Sequence, residues 1–324
     1  MNLISVNHLQ KYFQVSERSG FLKGLFWPRH KTVRAVDDIS FQIGEGELVS
    51  YLGPNGAGKS TTIKILTGLL TPSQGEVQIA GFVPWRERTR YVAQIGAVFG
   101  QRTTLWWDLP VIESLELFQF IYRVPAERFK QNLAEFRRLL DMDPFLQMPV
   151  RALSLGQRMR ADLCAAMLHN PRILFLDEPT IGLDVVAKER IRQFIQHINR
   201  QNGVTVILTT HDLSDVEKLS ERVLIIDHGK LLYDGSLDVL RNRFGGKRLL
   251  VVDFAEDSPD YSVEGAAIAA RDGVRVTYEF ERGQLTASEL INRVSSRFRI
   301  RDLEVHEPQI EETIRRIYEQ RLLE

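Results

Sequence analysis

Nine consecutive residues, Gly53-Pro54-Asn55-Gly56-Ala57-Gly58-Lys59-Ser60-Thr61, carry the clearest chemistry in the chain. They match G-x-x-x-x-G-K-[ST] at every defined position, and the apolar run Leu48-Val49-Ser50-Tyr51-Leu52 before them reads as a buried strand. Glycines let the backbone curl so that successive N–H groups face inward, and the loop feeds a helix N-terminus carrying partial positive charge. Such a loop cradles phosphates. Lys59 is placed to reach the β- and γ-phosphates of a nucleoside triphosphate, and Ser60 to offer its hydroxyl to Mg²⁺. The helix-forming Thr62-Ile63-Lys64-Ile65-Leu66 follows directly, a context that an ordinary Gly/Asn turn lacks.

A triphosphate site also needs a carboxylate for its metal and a group to polarise the attacking water. Ile173-Leu174-Phe175-Leu176-Asp177-Glu178 is an apolar strand ending in two acids. A strand buried on both faces delivers its acidic end to the C-terminal edge of a parallel sheet, where ligands bind. Asp177 is therefore the candidate metal partner beside Ser60, and Glu178 the candidate general base. His211 ends a further apolar strand, Val204–Leu208, and is predicted to reach the same edge.

About twenty residues before Asp177, Leu153-Ser154-Leu155-Gly156-Gln157 opens a helix with Ser154 and Gly156 at its N-terminus, a second anion-accepting end. Taken together, these segments resemble the nucleotide-binding subunit of ABC transporters over about residues 3–240. Gly53–Thr61 is similar to the family's Walker A sequence and Phe175–Glu178 to its Walker B. Leu153–Gln157 resembles the signature, usually Leu-Ser-Gly-Gly-Gln, with Leu155 in place of the first glycine. Asp184 in Gly182-Leu183-Asp184 resembles the D-loop acid, and His211 the switch histidine. Gln101 resembles the Q-loop glutamine, a metal and water contact, since Leu105 and Val111 follow at the family's offsets, although Gly100 is an extra residue before it. Phe13, or Tyr12 beside it, matches the aromatic that stacks on adenine; burial in a core is the alternative for Phe13.

What must position these residues is an alternation of strands and helices. Strand-like runs at 172–177, 204–209 and 222–227 each follow a helical segment, the pattern of a parallel sheet with crossover helices. Residues 3–9 and 33–52 read as strands, 62–70 as a helix, and 75–81 as a strand and turn. Glu113–Tyr122 and Ala126–Leu140 carry apolar residues at helical spacing. The expected fold is α/β: a P-loop NTPase domain of the ABC ATPase kind over 1–244. Its parts are a mostly parallel sheet core, an antiparallel N-terminal β subdomain and a helical subdomain at about 102–168. A small α+β domain is expected over 245–324, with strands near 249–254, 274–280 and 300–305 and helices over 287–298 and 310–323.

Two features look outward. The segment 16–32 sets Phe21, Leu22, Leu25, Phe26 and Trp27 among Arg18, Lys23, Arg29 and Lys31, a composition suited either to anionic lipid or a membrane partner, or to a surface hairpin. Trp106 and Trp107 either anchor a partner or fill a core.

Composition narrows the class. In 324 residues, 44% hydrophobic and 26% charged, Lys+Arg and Asp+Glu balance at 42 each, so no direct nucleic-acid binding is expected. Cys164 is single, which suits a reducing compartment. No basic-then-apolar leader opens the chain, and no run reaches the roughly 18 apolar residues of a membrane span.

The resemblance then implies an ATPase using ATP and Mg²⁺ that energises transport, with export favoured, through a separate multi-span permease of the ABC-2 type. It would work at the cytoplasmic face of the inner membrane, held there by the permease. Its nucleotide would lie between two subunits, so a second ATP-binding subunit, a copy or a close relative, is required. The alternative is a soluble mechanical ATPase on ribosomes or nucleic acid, disfavoured by the single P-loop and the absence of a sustained heptad run.

Overall fold

Short apolar runs with turns between them build the centre of the fold. It is seen in a computed structural model, which describes residues 2–17, 29–100, 102–244, 247–281, 284–306, 314 and 317. Along the chain, β1 (Asn2–Glu17) and β2 (Arg29–Gly44) form a long antiparallel hairpin, and β3 (Leu48–Leu52) leads into α1 (Lys59–Leu66). β4 (Gln74–Ile79) pairs with β1 on the side away from β2. Then come α2 (Arg88–Val92), β5 (Ile95–Phe99), α3 (Val111–Ile121), α4 (Ala126–Leu139), α5 (Leu155–Met167) and β6 (Ile173–Asp177). The series continues with α6 (Val185–Asn202), β7 (Thr205–Thr210), α7 (Leu213–Leu219), β8 (Arg222–Asp227) and β9 (Lys230–Ser236). The chain forms two compact units, residues 1–235 and 236–324.

In the first unit the central sheet runs β5-β6-β7-β3-β8-β9. β5 pairs with β6, β6 with β7, and β3 with both β7 and β8, all in parallel. All residues of β6 and β7 are buried, as expected of strands covered on both faces. Their side chains divide by the strand period of two. Ile173, Phe175 and Ile207 join the core shared with the antiparallel β2-β1-β4 sheet and α1, while Leu174, Leu176, Val206 and Leu208 join the core under α3, α4, α5 and α6. Registers Leu52↔Thr210 and Asp177↔Thr209 bring the strand ends level, so the segments after β3, β6 and β7 emerge at one edge.

α1 begins at Lys59, three residues earlier than the apolar pattern predicts, because Gly58 turns the loop straight into it. Gly58 has φ +107°, and a Cβ there would stand 2.3 Å from the Ala35 carbonyl oxygen. The helix also stops at Leu66, short of the expected 70, with Gly68 at φ +73° just beyond. β5, β9 and α2 were not legible as elements. In the segment 16–32 the hairpin pairing continues to Glu17↔Arg29; the remainder of that segment, 18–28, lies outside the described residues.

The second unit holds α8 (Leu237–Phe244), β10 (Arg248–Phe254), β11 (Ala267–Asp272), β12 (Arg275–Phe280), α9 (Ala287–Ser295) and β13 (Ile300–His306). Its antiparallel sheet runs β11-β12-β10-β13. Leu250, Val252, Phe254, Val276, Tyr278 and Phe280 alternate inward onto Leu290 and Val294 of α9. Of the helix expected over 310–323, only Ile314 and Ile317 are among the described residues, and both are buried and helical.

One largely covered histidine gives the first unit a measurable pH dependence. His169, just past α5, hydrogen-bonds the Ile95 carbonyl through Nε2 at 2.9 Å and stacks on Tyr122 with centroids 3.9 Å apart. Burial lowers its pKa to about 4, outweighing that bond, which raises it. Between about 6.5 and about 4 the unfolded chain therefore binds a proton that the folded chain does not. Stability falls as pH drops through that window, by on the order of 3 kcal/mol from this residue. Urea denaturation at pH 7 and pH 4.5 is expected to show that His169→Phe loses this share of the difference.

Candidate nucleotide-binding site

The loop between β3 and α1 is held by close backbone contacts. A Cβ on Gly53 would lie 2.5 Å from the Ile226 carbonyl oxygen, so the loop can press against the end of β8 only with glycine there. Lys59, 5% exposed, donates from Nζ to the carbonyls of Gly53 at 2.6 Å and Pro54 at 3.1 Å. The same Nζ lies 3.5 Å from Glu178 Oε1. Ala35, Pro54, Asn55, Gly56, Gly58, Lys59, Ser60, Thr61 and Glu178 line a cleft of about 170 Å³. That is roughly the phosphate end of a nucleotide site, since pockets for whole ligands run to about 300–1,000 Å³. A larger open cleft of about 770 Å³, lined by Glu45, Glu135, Arg172 and His197 among others, contains none of the loop residues.

Beside the loop, Asp177 Oδ1 accepts from Ser60 Oγ at 3.1 Å and from Thr209 Oγ1 at 2.6 Å. A hydroxyl and a carboxylate meeting at the end of the cleft are the hard oxygen donors that Mg²⁺ takes alongside phosphate oxygens and water, so these residues fit the ion. Glu178 follows in the left-handed region at φ +53°, unusual for a side-chain-bearing residue and costing about 1–2 kcal/mol. Its N–H donates to the Thr209 carbonyl at 3.1 Å, and the turn aims its carboxylate into the cleft. Glu178 Oε2 lies 3.3 Å from His211 Nδ1, so one carboxylate spans Lys59 and His211.

Behind His211 sits a buried polar cluster. Asp215 is fully buried, and its carboxylate accepts from Arg192 Nε at 2.7 Å, from Thr180 Oγ1, and from Thr210 Oγ1 at 3.3 Å. Thr180 lies two positions after Glu178 and Thr210 immediately before His211, so the cluster fixes both segments to α6 and α7. Asp212 caps α7 and takes Lys188 Nζ of α6 at 2.7 Å. Burial would raise its pKa, but the bonds from Lys188 and Ser214 hold it down at about 2.

Ser154 caps α5 in a capping box: its Oγ accepts from Gln157 N at 3.2 Å, and Gln157 Oε1 accepts from Ser154 N at 2.9 Å. The hydroxyl hydrogen of Ser154 remains able to donate, and the residue is exposed. Leu155 is helical with no left-handed φ, so the backbone needs no glycine at that position. Its Cδ2 would stand 3.3 Å from a Cβ on Gly182, and a Cβ on Gly156 would stand 3.1 Å from Ala187 Cβ. Asp184 caps α6 through Ala187 N at 2.8 Å.

Gly53–Thr61, Asp177, Glu178 and His211 thus share one sheet edge, while Ser154–Gln157 and Asp184 sit at helix starts packed against each other. Phe13 pairs with Val33 on the hairpin and is 38% exposed, so it is no core residue; Lys11 Nζ lies 5.3 Å from its ring centroid. Gln101 lies outside the described residues. Thr209, Asp215 and Arg192 went unnoticed in the sequence. Thr209-Thr210 at the end of an apolar strand was the one available signal.

The family model for ABC transporters matches residues 36–181. The chain is 33% identical to the ABC transporter ATP-binding protein NatA of Bacillus subtilis (strain 168) over 215 residues, spanning 66% of this chain and 87% of that relative. The chain belongs to the ABC transporter ATP-binding proteins. It is 32% identical to the daunorubicin resistance ATP-binding protein DrrA3 of Streptomyces coeruleorubidus, over 80% of each chain. Among solved structures, a dimeric ATP-binding cassette bound to ADP and Pi in a post-hydrolysis state superposes with a TM-score of 0.62. Identity to that cassette is 28%, covering 72% of this chain and 98% of the other. This ABC ATPase therefore has the P-loop α/β fold expected, and it is an ATP-binding and ATP-hydrolysing subunit that energises transport. ABC ATPases of this kind work as membrane-associated dimers with permease partners, and the ribosome or nucleic-acid alternative finds no support among these relatives. Among the described residues no helix is long and apolar enough to cross a membrane.

Proposed function

We propose that two such chains, copies or close relatives, close over ATP to drive export through a separate multi-span ABC-2 type permease. The observation that carries this reading is the division of the site. The loop cleft, about 170 Å³, has the size of a phosphate site, while exposed Ser154 and half-buried Gly156 form an anion-accepting helix start that lines no part of that cleft. Each half needs the other half from a second chain. The dimeric form of the similar cassette supports that assembly.

In this reading Lys59 leaves the Gly53 and Pro54 carbonyls and Glu178 to take the β- and γ-phosphates. Ser60 and Asp177, with Gln101, would hold Mg²⁺, which when bound would supply positive charge against the phosphate oxygens. Glu178, released from Lys59, accepts the proton of the attacking water, and His211 holds Glu178 and contacts the γ-phosphate. Ser154, Leu155, Gly156 and Gln157 close over the second chain's nucleotide, with Asp184 beside them, and Phe13 stacks on adenine. Closure excludes water, and charge separation after hydrolysis reopens the pair.

Export is supported by the resistance name of the DrrA3 relative, and permease docking by an apolar face. Trp107 leans on Arg158, 5.7 Å from its ring centroid, and is half exposed. Leu117, Phe120 and Ile121 are exposed on one face of α3. The chain would sit at the inner membrane's cytoplasmic face through that permease, with no nucleic acid partner.

Two measurements test this. Mg²⁺-dependent ATP turnover by the purified chain is expected to vanish in Lys59→Ala, with ATP affinity lowered about 30-fold or more, as when one partner of a buried charge pair is removed. Affinity unchanged in Lys59→Ala would remove the loop from the account. Pull-down of the tagged chain from solubilised membranes is expected to recover a multi-span protein, and recovery of ribosomes instead would overturn the transport reading.

A further inference from the structure

Asp162 lies on α5 about two helical turns beyond Ser154 and lines no part of the nucleotide cleft. It is buried, and a single oxygen, Oδ1, accepts three hydrogen bonds from one short segment. These come from Thr103 Oγ1 at 2.9 Å, Thr104 N at 2.9 Å and Thr104 Oγ1 at 3.0 Å. Thr103 Oγ1 in turn accepts from Leu105 N at 3.1 Å.

That segment starts two positions after Gln101. On either side of Gln101, Gly100 N donates to the Asp177 carbonyl at 2.8 Å and Arg102 N to the Phe99 carbonyl at 3.0 Å. The Asp162 bonds in turn hold residues 103 and 104 to the helix that presents Ser154. Burial pushes the Asp162 carboxyl up to about 6, against the pull of the threonine bonds and the Arg158 charge. An apolar pair would hold α5 to this segment without the cost of a buried carboxylate. What the carboxylate adds is direction, because three donors on one oxygen fix both distance and angle.

We propose that Asp162 is a positioning residue that ties the segment following Gln101 to the signature helix α5. Through it, the Thr103–Thr104 segment holds the orientation in which α5 offers Ser154–Gln157 to the second chain. The turnover consequence rests on the closed-dimer reading above; the tether itself does not.

The test combines three full-length variants with two readouts. Asp162→Ala removes all three acceptor contacts, Asp162→Asn keeps a carbonyl oxygen able to accept two of them, and Thr103→Val/Thr104→Val removes two donors without touching α5. In the nucleotide-free chain, amide exchange is expected to quicken about 10-fold at Thr104 in Asp162→Ala. It should also quicken across the start of α5, residues 154–158, in the double threonine variant, with far less change in Asp162→Asn. In turnover, Asp162→Ala and the double variant are expected to lower kcat about 10-fold at unchanged ATP affinity, and Asp162→Asn to stay within about 3-fold of the parent.

Unchanged exchange over 154–158 in the double threonine variant overturns the tether, whether or not ATP is hydrolysed. A kcat within about 2-fold of the parent in the double threonine variant or in a folded Asp162→Ala overturns the role of the tether in turnover. If Asp162→Ala fails to fold, the double variant, which leaves α5 intact, decides alone. Exchange that responds in a parent chain that hydrolyses no ATP supports the tether and sinks the ATPase reading by itself.

Discussion

Replacing Glu178 with Gln is expected to lower ATP turnover about 10²–10³-fold while tightening ATP binding, the two effects having one physical origin. Glu178 Oε1 lies 3.5 Å from Lys59 Nζ, and Oε2 lies 3.3 Å from His211 Nδ1. A γ-phosphate that takes Lys59 must displace this carboxylate and then lie close to it. Two like charges about 4–5 Å apart repel by about 3–4 kcal/mol at an effective dielectric near 20. Glutamine keeps the shape and the left-handed turn at φ +53° but removes the charge, so ATP binds more tightly. It also removes the proton acceptor, so bound ATP persists. Equilibrium titration and single-turnover hydrolysis check both halves. Turnover of Glu178→Gln within about 3-fold of the parent would move the base elsewhere.

The second large effect is on stability. Asp215 is fully buried and Arg192 nearly so, and the pair is completed by Thr180, Thr210 and Ser214. Truncating either charge strands the other in the core. Asp215→Ala or Arg192→Ala is therefore expected to cost about 3–5 kcal/mol. In a unit of this size that lowers Tm by roughly 6–20 °C. The joint replacement Arg192→Met/Asp215→Leu is expected to recover much of that loss, because no charge is then left unpaired. Calorimetry on the three variants decides it. Single and double variants with equal losses would show that packing, not the ion pair, holds α6 to α7. The stabilised double variant should still turn over ATP slowly, since Thr180 and Thr210 no longer share an anchor beside Glu178 and His211.

How much of this was legible in the sequence follows from the reach of each signal. The phosphate loop, Asp177-Glu178, His211 and Ser154–Gln157 are local segments in which residue type and spacing carry the chemistry. The sheet edge that gathers three of them follows from strands apolar on both faces. Thr209 on Asp177, the Asp215–Arg192 pair and the Thr103–Thr104–Asp162 bonds join residues far apart in the chain, and nothing local marks them. β5, Ile95–Phe99, escaped because a five-residue run with Gly96 at its second position shows no alternation. β11 escaped for the opposite reason: every residue of it is exposed, so no buried face imprints a period of two. Leu155 looked like a break in the signature, yet a helical first-turn position accepts leucine as readily as glycine, and its side chain packs beside Gly182. The start of α1 was placed three residues late, because an apolar pattern cannot register a helix whose first turn is Lys59-Ser60-Thr61.

The central claim is that each active site is assembled from two chains, and mixing two defective chains tests it most directly. Lys59→Ala disables the phosphate loop but leaves the signature segment, whereas Ser154→Arg blocks the signature segment but leaves the loop. Each alone is expected to be inactive. In a 1:1 mixture half of the dimers are mixed, and each of these has one intact site, so about a quarter of the parent turnover should return. No recovery on mixing two folded variants that each bind as expected, or full activity in Ser154→Arg alone, would mean that a single chain builds its own site.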